Sequence, residues 1–301
     1  MRSAMTTTAC LAARWWQAIR PHSLGTAIAP VLVGGGVAVH DGVARPWAFF
    51  LALVGVALLL VGVNLGNDYF DFRSGADPPI GVGQRPLQSG TLAPHWFLIG
   101  SLIAFGVAGL IGVGLALASP REVLILGVVG AVLGFFYTAP PLRLGYRALG
   151  EVVVFLLLGT GATLGAYAVT ANRFAWLPVW GSIPVGFVVA ALLHANNLRD
   201  LADDARTGKR TLAVVLGEFG AVREYGVLIW GAEVAVLLLA VTATPLAALG
   251  LLTLPLAWRL SREAAPGRES GRKLMRGTAG LHLRLAVLLM LGFALTPLLV
   301  R

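Results

Sequence analysis

AFFLALVGVALLLVGVNLGNDYFDFRSGAD, residues 48–77, sets an uncharged apolar run, 48–63, against a polar foot carrying Asn64, Asn67, Asp68, Asp71 and Asp77. The run reads as a membrane helix from its lack of charge. Acids at the end of such a helix are costly and call for a reason. At about 100° per residue, Asn64, Asp68 and Asp71 stand at i, i+4 and i+7 and share one face. Like charges that close repel unless a divalent cation neutralises them, and oxygen-only ligands suit Mg²⁺, which keeps waters and bridges to phosphate. The competing reading is a solvated helix end turning at Ser74 and Gly75. Taken alone, the stretch supports both equally.

The whole chain bears out the membrane reading of that run. Of 301 residues 57% are hydrophobic and 12% charged, with mean hydropathy +0.81. A soluble domain carries about 25% charged residues, so the chain is an integral membrane protein. Abundant glycine suits close helix packing in lipid. The net charge of +9 is then a matter of membrane topology, and no nucleic-acid partner is expected. Cys10 is the one cysteine and has no metal-site spacing. The first residues lack a long apolar core before Arg14, which argues against a cleaved signal peptide.

Apolar runs long enough to cross number nine, near 23–40, 47–70, 95–118, 122–139, 150–170, 176–198, 222–243, 245–259 and 280–300. The expectation is an all-α fold of nine transmembrane helices in a single domain, 1–301. Residues 1–22 form a cytoplasmic or interfacial segment in which Trp15 and Trp16 are candidate anchors. With the N-terminus inside, only Arg45, Arg121, Arg173 and Arg301 fall on the outer side, and every chemically unusual loop falls on the cytoplasmic one.

The second such loop is HANNLRDLADDARTGKRTL, His194 to Leu212. Asn197, Asp200 and Asp204 stand at i, i+3 and i+7, with Asn196 and Asp203 beside them, repeating the amide-and-carboxylate face of the first stretch. Two such feet are hard to explain as solvation. Cations accompany each: Arg73 and Arg85 follow the first; Arg199, Arg206, Lys209 and Arg210 accompany the second. Surface ion pairs would account for the mixture cheaply. A polyanion held by both signs accounts for it better, with metal ions bridging to the acids and Arg or Lys meeting the remaining oxygens. On a greasy protein that suggests a lipid diphosphate with Mg²⁺. Between the two feet, FFYTAPPLRLGYRALGE, 135–151, ends a span at Pro140–Pro141 and populates a loop with Tyr137, Arg143, Tyr146, Arg147 and Glu151. A belt role for Tyr137 and a topological role for Arg143 are the simpler readings. The cluster from Arg259 to Arg276 reads as topology and anionic-lipid contact. No histidine pair has zinc-site spacing, and there is no Walker loop, GxSxG or dinucleotide fingerprint.

These motifs resemble the UbiA superfamily of intramembrane prenyltransferases, and within it the 1,4-dihydroxy-2-naphthoate polyprenyltransferases. The resemblance covers nearly the whole chain, through WWQAIRPHSLGTAIAPVLVG, NLGNDYFDFRSGAD, YTAPPLRLGYRALGE and ANNLRDLADDARTGKRTLAVVLG. It implies a central cavity, an allylic polyprenyl diphosphate donor, an aromatic acceptor and Mg²⁺. Asp68, Asp71, Asp77, Asp200 and Asp204 are implied as metal-binding. Asn64, Asn67, Asn196, Asn197, Arg20, Arg73, Arg85 and Arg143 are implied on the substrate, and Lys209 and Tyr137 as catalytic. The broader pattern NxxxDxxxD, begun at Asn67, meets Gly75 at its last position, whereas the naphthoate-type NxxNDxxD with a later acid fits; this leaves the role of Asp77 open. In that branch prenylation is accompanied by loss of the ring carboxylate, giving the demethylmenaquinone skeleton. The expected location is the inner or plasma membrane of a bacterial cell, with the site facing the cytoplasm and membrane lipid around it. Hydroxybenzoate, homogentisate, another naphthoate, haem or a glycerol phosphate are alternative acceptors, because the acid motifs read the donor alone. A secondary transporter would place its polar residues near the midplane; a CDP-alcohol phosphotransferase would carry DGxxAR, which is absent.

Asp68→Ala and Asp200→Ala are predicted to abolish turnover in a protein that still inserts and folds. Lys209→Ala is predicted to impair turnover more than Lys273→Ala. Equal effects of the two lysine changes in a diphosphate-release assay would reduce the loop cations to topology.

Overall fold

The computed structural model describes residues 2–76 and 86–299. Asp77 and Arg85 lie outside the described residues. The elements are α1 (Arg2–Ile19), α2 (Leu24–His40), α3 (Pro46–Ser74), α4 (Pro94–Leu117), α5 (Glu122–Phe135), α6 (Gly150–Ala171), α7 (Leu177–Thr207), α8 (Leu212–Thr242), α9 (Leu254–Glu263) and α10 (Arg268–Leu299). No strand occurs among the described residues. A lone bridge joins Arg147 to Arg210.

Each of the nine expected runs is helical, yet not every one forms a single helix long enough to cross by itself. Six helices, α3, α4, α6, α7, α8 and α10, are long and apolar enough to span, and a seventh follows if the last part of α1 and α2, bent by 54°, count together. The expected run 122–139 stops at Phe135, and the 14-residue α5 is short for a bilayer. The run 245–259 opens as a 3₁₀ helix, Pro245–Thr253, before α9. The run 222–243 begins ten residues earlier than expected. The Thr211 hydroxyl accepts from the Val214 N–H at 3.3 Å and caps a short helical foot ahead of a break at Gly217. On that foot Val215 and Leu216 are exposed, as is Phe219 just past the break.

Small residues let the helices cross closely. The middle of α6, Phe155–Gly161, is a π-helix, and a Cβ at Gly159 would sit 2.5 Å from the Cα of Gly186 on α7. Helix α2 runs through the interior against α6, α7 and α10, burying Val31, Val33 and Val37 completely. One rim of the bundle is closed by Arg45, whose guanidinium donates to Ala118 O at 2.6 Å and to Ser119 Oγ at 2.9 Å, and by Arg173, which pairs with Asp41 at 2.7 Å. These are two of the few cations that the charge pattern assigned to the outer side. The acid feet and Lys209 collect at the rim where α3 and α7 end.

Gly159→Ala is expected to overpack the α6–α7 crossing, costing about 1–3 kcal/mol. Gly114→Ala, where nothing lies within 4 Å of the added carbon, is the control. A lowered melting temperature in detergent for the first alone is the expected outcome.

Candidate active site

Both acid-bearing helices stop in the same way. At the end of α3, Gly75 takes a left-handed φ of 76°, and the Ala76 N–H bonds to Asp71 O at 3.0 Å. At the end of α7, Gly208 takes φ 73°, and the Lys209 N–H bonds to Asp204 O at 2.9 Å. Each is a 6→1 closure of the Schellman type, which needs a residue without a Cβ penalty at the left-handed position. The sequences agree over the whole frame: Asn64–Gly75 and Asn197–Gly208 both read N-L-x5-D-x-R-[ST]-G. This frame makes Asn64 the counterpart of Asn197 and Asp71 the counterpart of Asp204.

The two feet meet around one ammonium. Lys209 Nζ lies 3.9 Å from Asp71 Oδ2 and 3.9 Å from Asp204 Oδ1, in a half-buried position. The intervening loop closes over this meeting point. Tyr146 donates its hydroxyl to Asp71 Oδ1 at 2.7 Å, shares a 3.1 Å contact with Ser74 Oγ, and sets its ring 5.2 Å from the Lys209 ammonium. The Ala148 N–H bonds to Arg210 O at 2.8 Å, stitching that loop to the one after α7. Burial, with Asp71 beside it, pushes the Tyr146 phenol above its usual pKa. The hydroxyl therefore keeps its proton at neutral pH and acts as a donor.

The other expected residues divide. Asp68 is buried and ion-paired with Arg20, whose left-handed backbone (φ 57°) turns the chain between α1 and α2. Asn64 donates Nδ2 to Ser23 Oγ at 2.9 Å, and Asn67 Oδ1 accepts from Thr138 at 2.8 Å. Asp200 is held by its neighbour Arg199, with an Nε–Oδ1 distance of 2.8 Å, and so faces a cation of its own helix. Arg73 is exposed and lies over Tyr69, while Arg143 is exposed over Tyr146 at 5.8 Å; neither reaches the acids among its described contacts. Asn196 is half-buried beside Asn197. Tyr137 packs its ring against Gly145 and its hydroxyl against Gly150, leaving no room for a Cβ at either. Burial first, then Glu151, Asp71 and Asp204, push its phenol above the usual pKa, so Tyr137 too is a donor and is unsuited to taking a proton.

Sequence reasoning passed over three side chains. Tyr146 stood only as a loop residue, and Glu151 and His194 carried no role. Glu151 Oε1 receives His194 Nδ1 at 2.8 Å and Asn197 Nδ2 at 2.9 Å, all buried. An ionisable pair inside apolar helices is itself a signal for function.

This geometry can be set against known proteins. A profile described as "UbiA prenyltransferase family" matches residues 27–288. The chain belongs to the UbiA prenyltransferase family. A Mycobacterium tuberculosis protein named 1,4-dihydroxy-2-naphthoate octaprenyltransferase is 35% identical over 87% of this chain and 89% of its own. One of the same name from Mycobacterium leprae is 34% identical over 85% and 87%. In fold, the chain is similar to a UbiA homolog from Archaeoglobus fulgidus bound to DMAPP and Mg²⁺, with a TM-score of 0.66, 15% identity, and coverage of 93% of this chain and 99% of that one.

Do the residues of this UbiA family chain suit Mg²⁺? No group of three or more His, Cys, Asp or Glu side chains able to hold a metal occurs among the described residues. Mg²⁺ does not require one, since it is usually held by one or two carboxylates together with phosphate oxygens and water. Asp71 and Asp204, oxygen donors flanking one cation at a half-buried rim, fit that role.

Tyr146→Phe keeps the ring beside Lys209 and deletes the donor to Asp71. A hydrogen bond to a charged group contributes about 1.5–3 kcal/mol, so kcat/KM for the prenyl donor should fall about tenfold or more. An unchanged kcat/KM would remove Tyr146 from the site.

Proposed function

We propose that the protein transfers a polyprenyl group from an allylic polyprenyl diphosphate to 1,4-dihydroxy-2-naphthoate, with loss of the ring carboxylate, in a Mg²⁺-dependent reaction at the cytoplasmic rim of a bacterial inner or plasma membrane. The observation that carries this reading is the meeting of Asp71 and Asp204 about Lys209, in a chain about a third identical to relatives of that name. Nine crossings in one domain, 1–301, with a central cavity for the prenyl tail, complete the proposal. α5 and the 3₁₀–α9 segment supply the crossings that length alone does not identify.

The chemistry follows from the charges. The allylic carbon–oxygen bond breaks with its electron pair leaving on the diphosphate. The Lys209 ammonium faces that growing negative charge and stabilises it more than the ground state. When bound, Mg²⁺ supplies Lewis-acid withdrawal of charge from the diphosphate oxygens, with Asp71 and Asp204 as its protein ligands and Asp68, Asp200 and Asp77 as further acids of the same two feet. Tyr146 holds Asp71 in place. Arg20 offsets the buried charge of Asp68 at the first foot. Asn64, Asn67, Asn196 and Asn197 frame the two feet with amides, and Arg73, Arg85 and Arg143 supply positive field around the diphosphate. The cation left on the prenyl carbon is kept from water by apolar helices. An electron-rich ring carbon then bonds to it, the ring carboxyl leaves as carbon dioxide, and Tyr137 donates a hydrogen bond that orients the acceptor.

The test offers purified protein one polyprenyl diphosphate with a panel of aromatic acids, with Mg²⁺ and with chelator. Prenylated naphthalene-diol, carbon dioxide and diphosphate in equal amounts, none with chelator, is the expected result. Preference for hydroxybenzoate or homogentisate overturns the acceptor, and donor uptake without diphosphate release overturns the enzyme reading in favour of transport.

A further inference from the structure

Asn64 and Asn197 occupy the same place in the repeated frame, and in both the amine end of the amide is already taken. Asn64 Nδ2 donates to Ser23 Oγ and Asn197 Nδ2 to Glu151 Oε1, each at 2.9 Å. Both bonds leave Oδ1, the hard-oxygen end, as the amide's remaining group. For Asn197 the acceptor that does this is a carboxyl buried in an apolar interior, with relative exposure of 4%.

A donor and acceptor count defines the state of that carboxyl. His194 Nε2 lies 2.9 Å from Ala221 O, and a carbonyl only accepts, so Nε2 carries a hydrogen. His194 Nδ1 and Asn197 Nδ2 both meet Glu151 Oε1. Either Nδ1 is protonated and Glu151 is a carboxylate, or Nδ1 is a bare lone pair and the Glu151 O–H donates to it. In both cases the pair holds one proton between its two groups and carries no net charge. A neutral carboxyl beside an imidazolium would leave an uncompensated charge in the bundle, which the interior disfavours strongly. Glu151 Oε2 is buried without a hydrogen-bond partner, so the carboxyl is anchored entirely through Oε1. One oxygen thus ties α6, through Glu151, to α7 at two points and, through His194, to α8.

We propose that Glu151, with His194, is a positioning residue: it holds the amide of Asn197 with Oδ1 turned to the prenyl diphosphate and its metal, as Ser23 holds Asn64 on the other foot. This rests on the proposed reading of the site as the donor subsite. Glutamine cannot replace Glu151. Its oxygen would meet the Nδ1 lone pair of neutral His194, and its amide nitrogen would offer Asn197 no acceptor.

The test measures Mg²⁺-dependent binding of geranyl diphosphate to the purified full chain by calorimetry, without acceptor, and the acceptor KM in a separate turnover assay. Loss of a group that orients a metal or ligand contact typically costs 10–100-fold in affinity, so E151Q and N197A should each weaken binding about tenfold or more and leave the acceptor KM unchanged. Because Glu151 acts through Asn197, the double variant should bind no worse than the weaker single. Wild-type binding by N197A or by E151Q overturns the proposal, as do additive losses in the double variant. H194A is read in place of E151Q if the latter does not fold. A wild-type protein that binds donor yet prenylates no aromatic acid would defeat the proposed reaction while leaving this binding test intact.

Discussion

An ionised carboxylate at the edge of a hydrocarbon layer needs a cation within reach, and the inner architecture of this protein follows from that need. Asp68 has Arg20, Asp200 has Arg199, Asp203 has Arg206 and Arg268, and Asp71 and Asp204 share Lys209. The cations come from α7 itself and from three other segments drawn to the same rim: the turn after α1, the start of α10, and the loop after α7. Three of these acids have a dedicated arginine or pair of arginines. The two that share a lysine lie 3.9 Å from it, the longest of these pairings.

The repeated frame explains why the two feet are geometrically alike. A left-handed glycine four residues after the acid closes each helix through the same backbone bond, so Asp71 and Asp204 stand at the same height above their caps. The second cap differs in placing Lys209 where the first has Ala76. One cation therefore serves both acids. Tyr146 then fills the gap between the feet, offering a hydroxyl to one acid and a ring face to the shared cation.

The opposite rim shows the same constraint met without an opening. Arg45 is consumed by backbone carbonyls and Ser119, and Arg173 by Asp41 and the Tyr167 hydroxyl. That end is tied shut by its charges, whereas at the acid rim Lys209 stands 3.9 Å from each of the two acids it serves. The contrast gives the bundle a polarity that hydropathy cannot express.

Helix content and class were written in the chain, because apolar length and period are local properties: 48–63 had to be helical in lipid, and each of the nine apolar runs is helical. So were the two acid feet, whose residues lie within two turns of each other. What the local pattern misjudged were ends and crossings. α5 stops at Phe135 and the segment from Pro245 opens as a 3₁₀ helix, since those limits depend on neighbours and on the proline turn that follows. Which cation from a distant segment meets which acid was decided by tertiary structure. The resemblance implied Arg73 and Arg143 on the substrate, yet they turn to tyrosines, because a side chain's reach is set by the helix ends that carry it. Glu151, His194 and Asn197 are separated by more than forty residues in part, and no spacing rule joins them; only the packing of α6 on α7 brings one carboxyl oxygen to both partners.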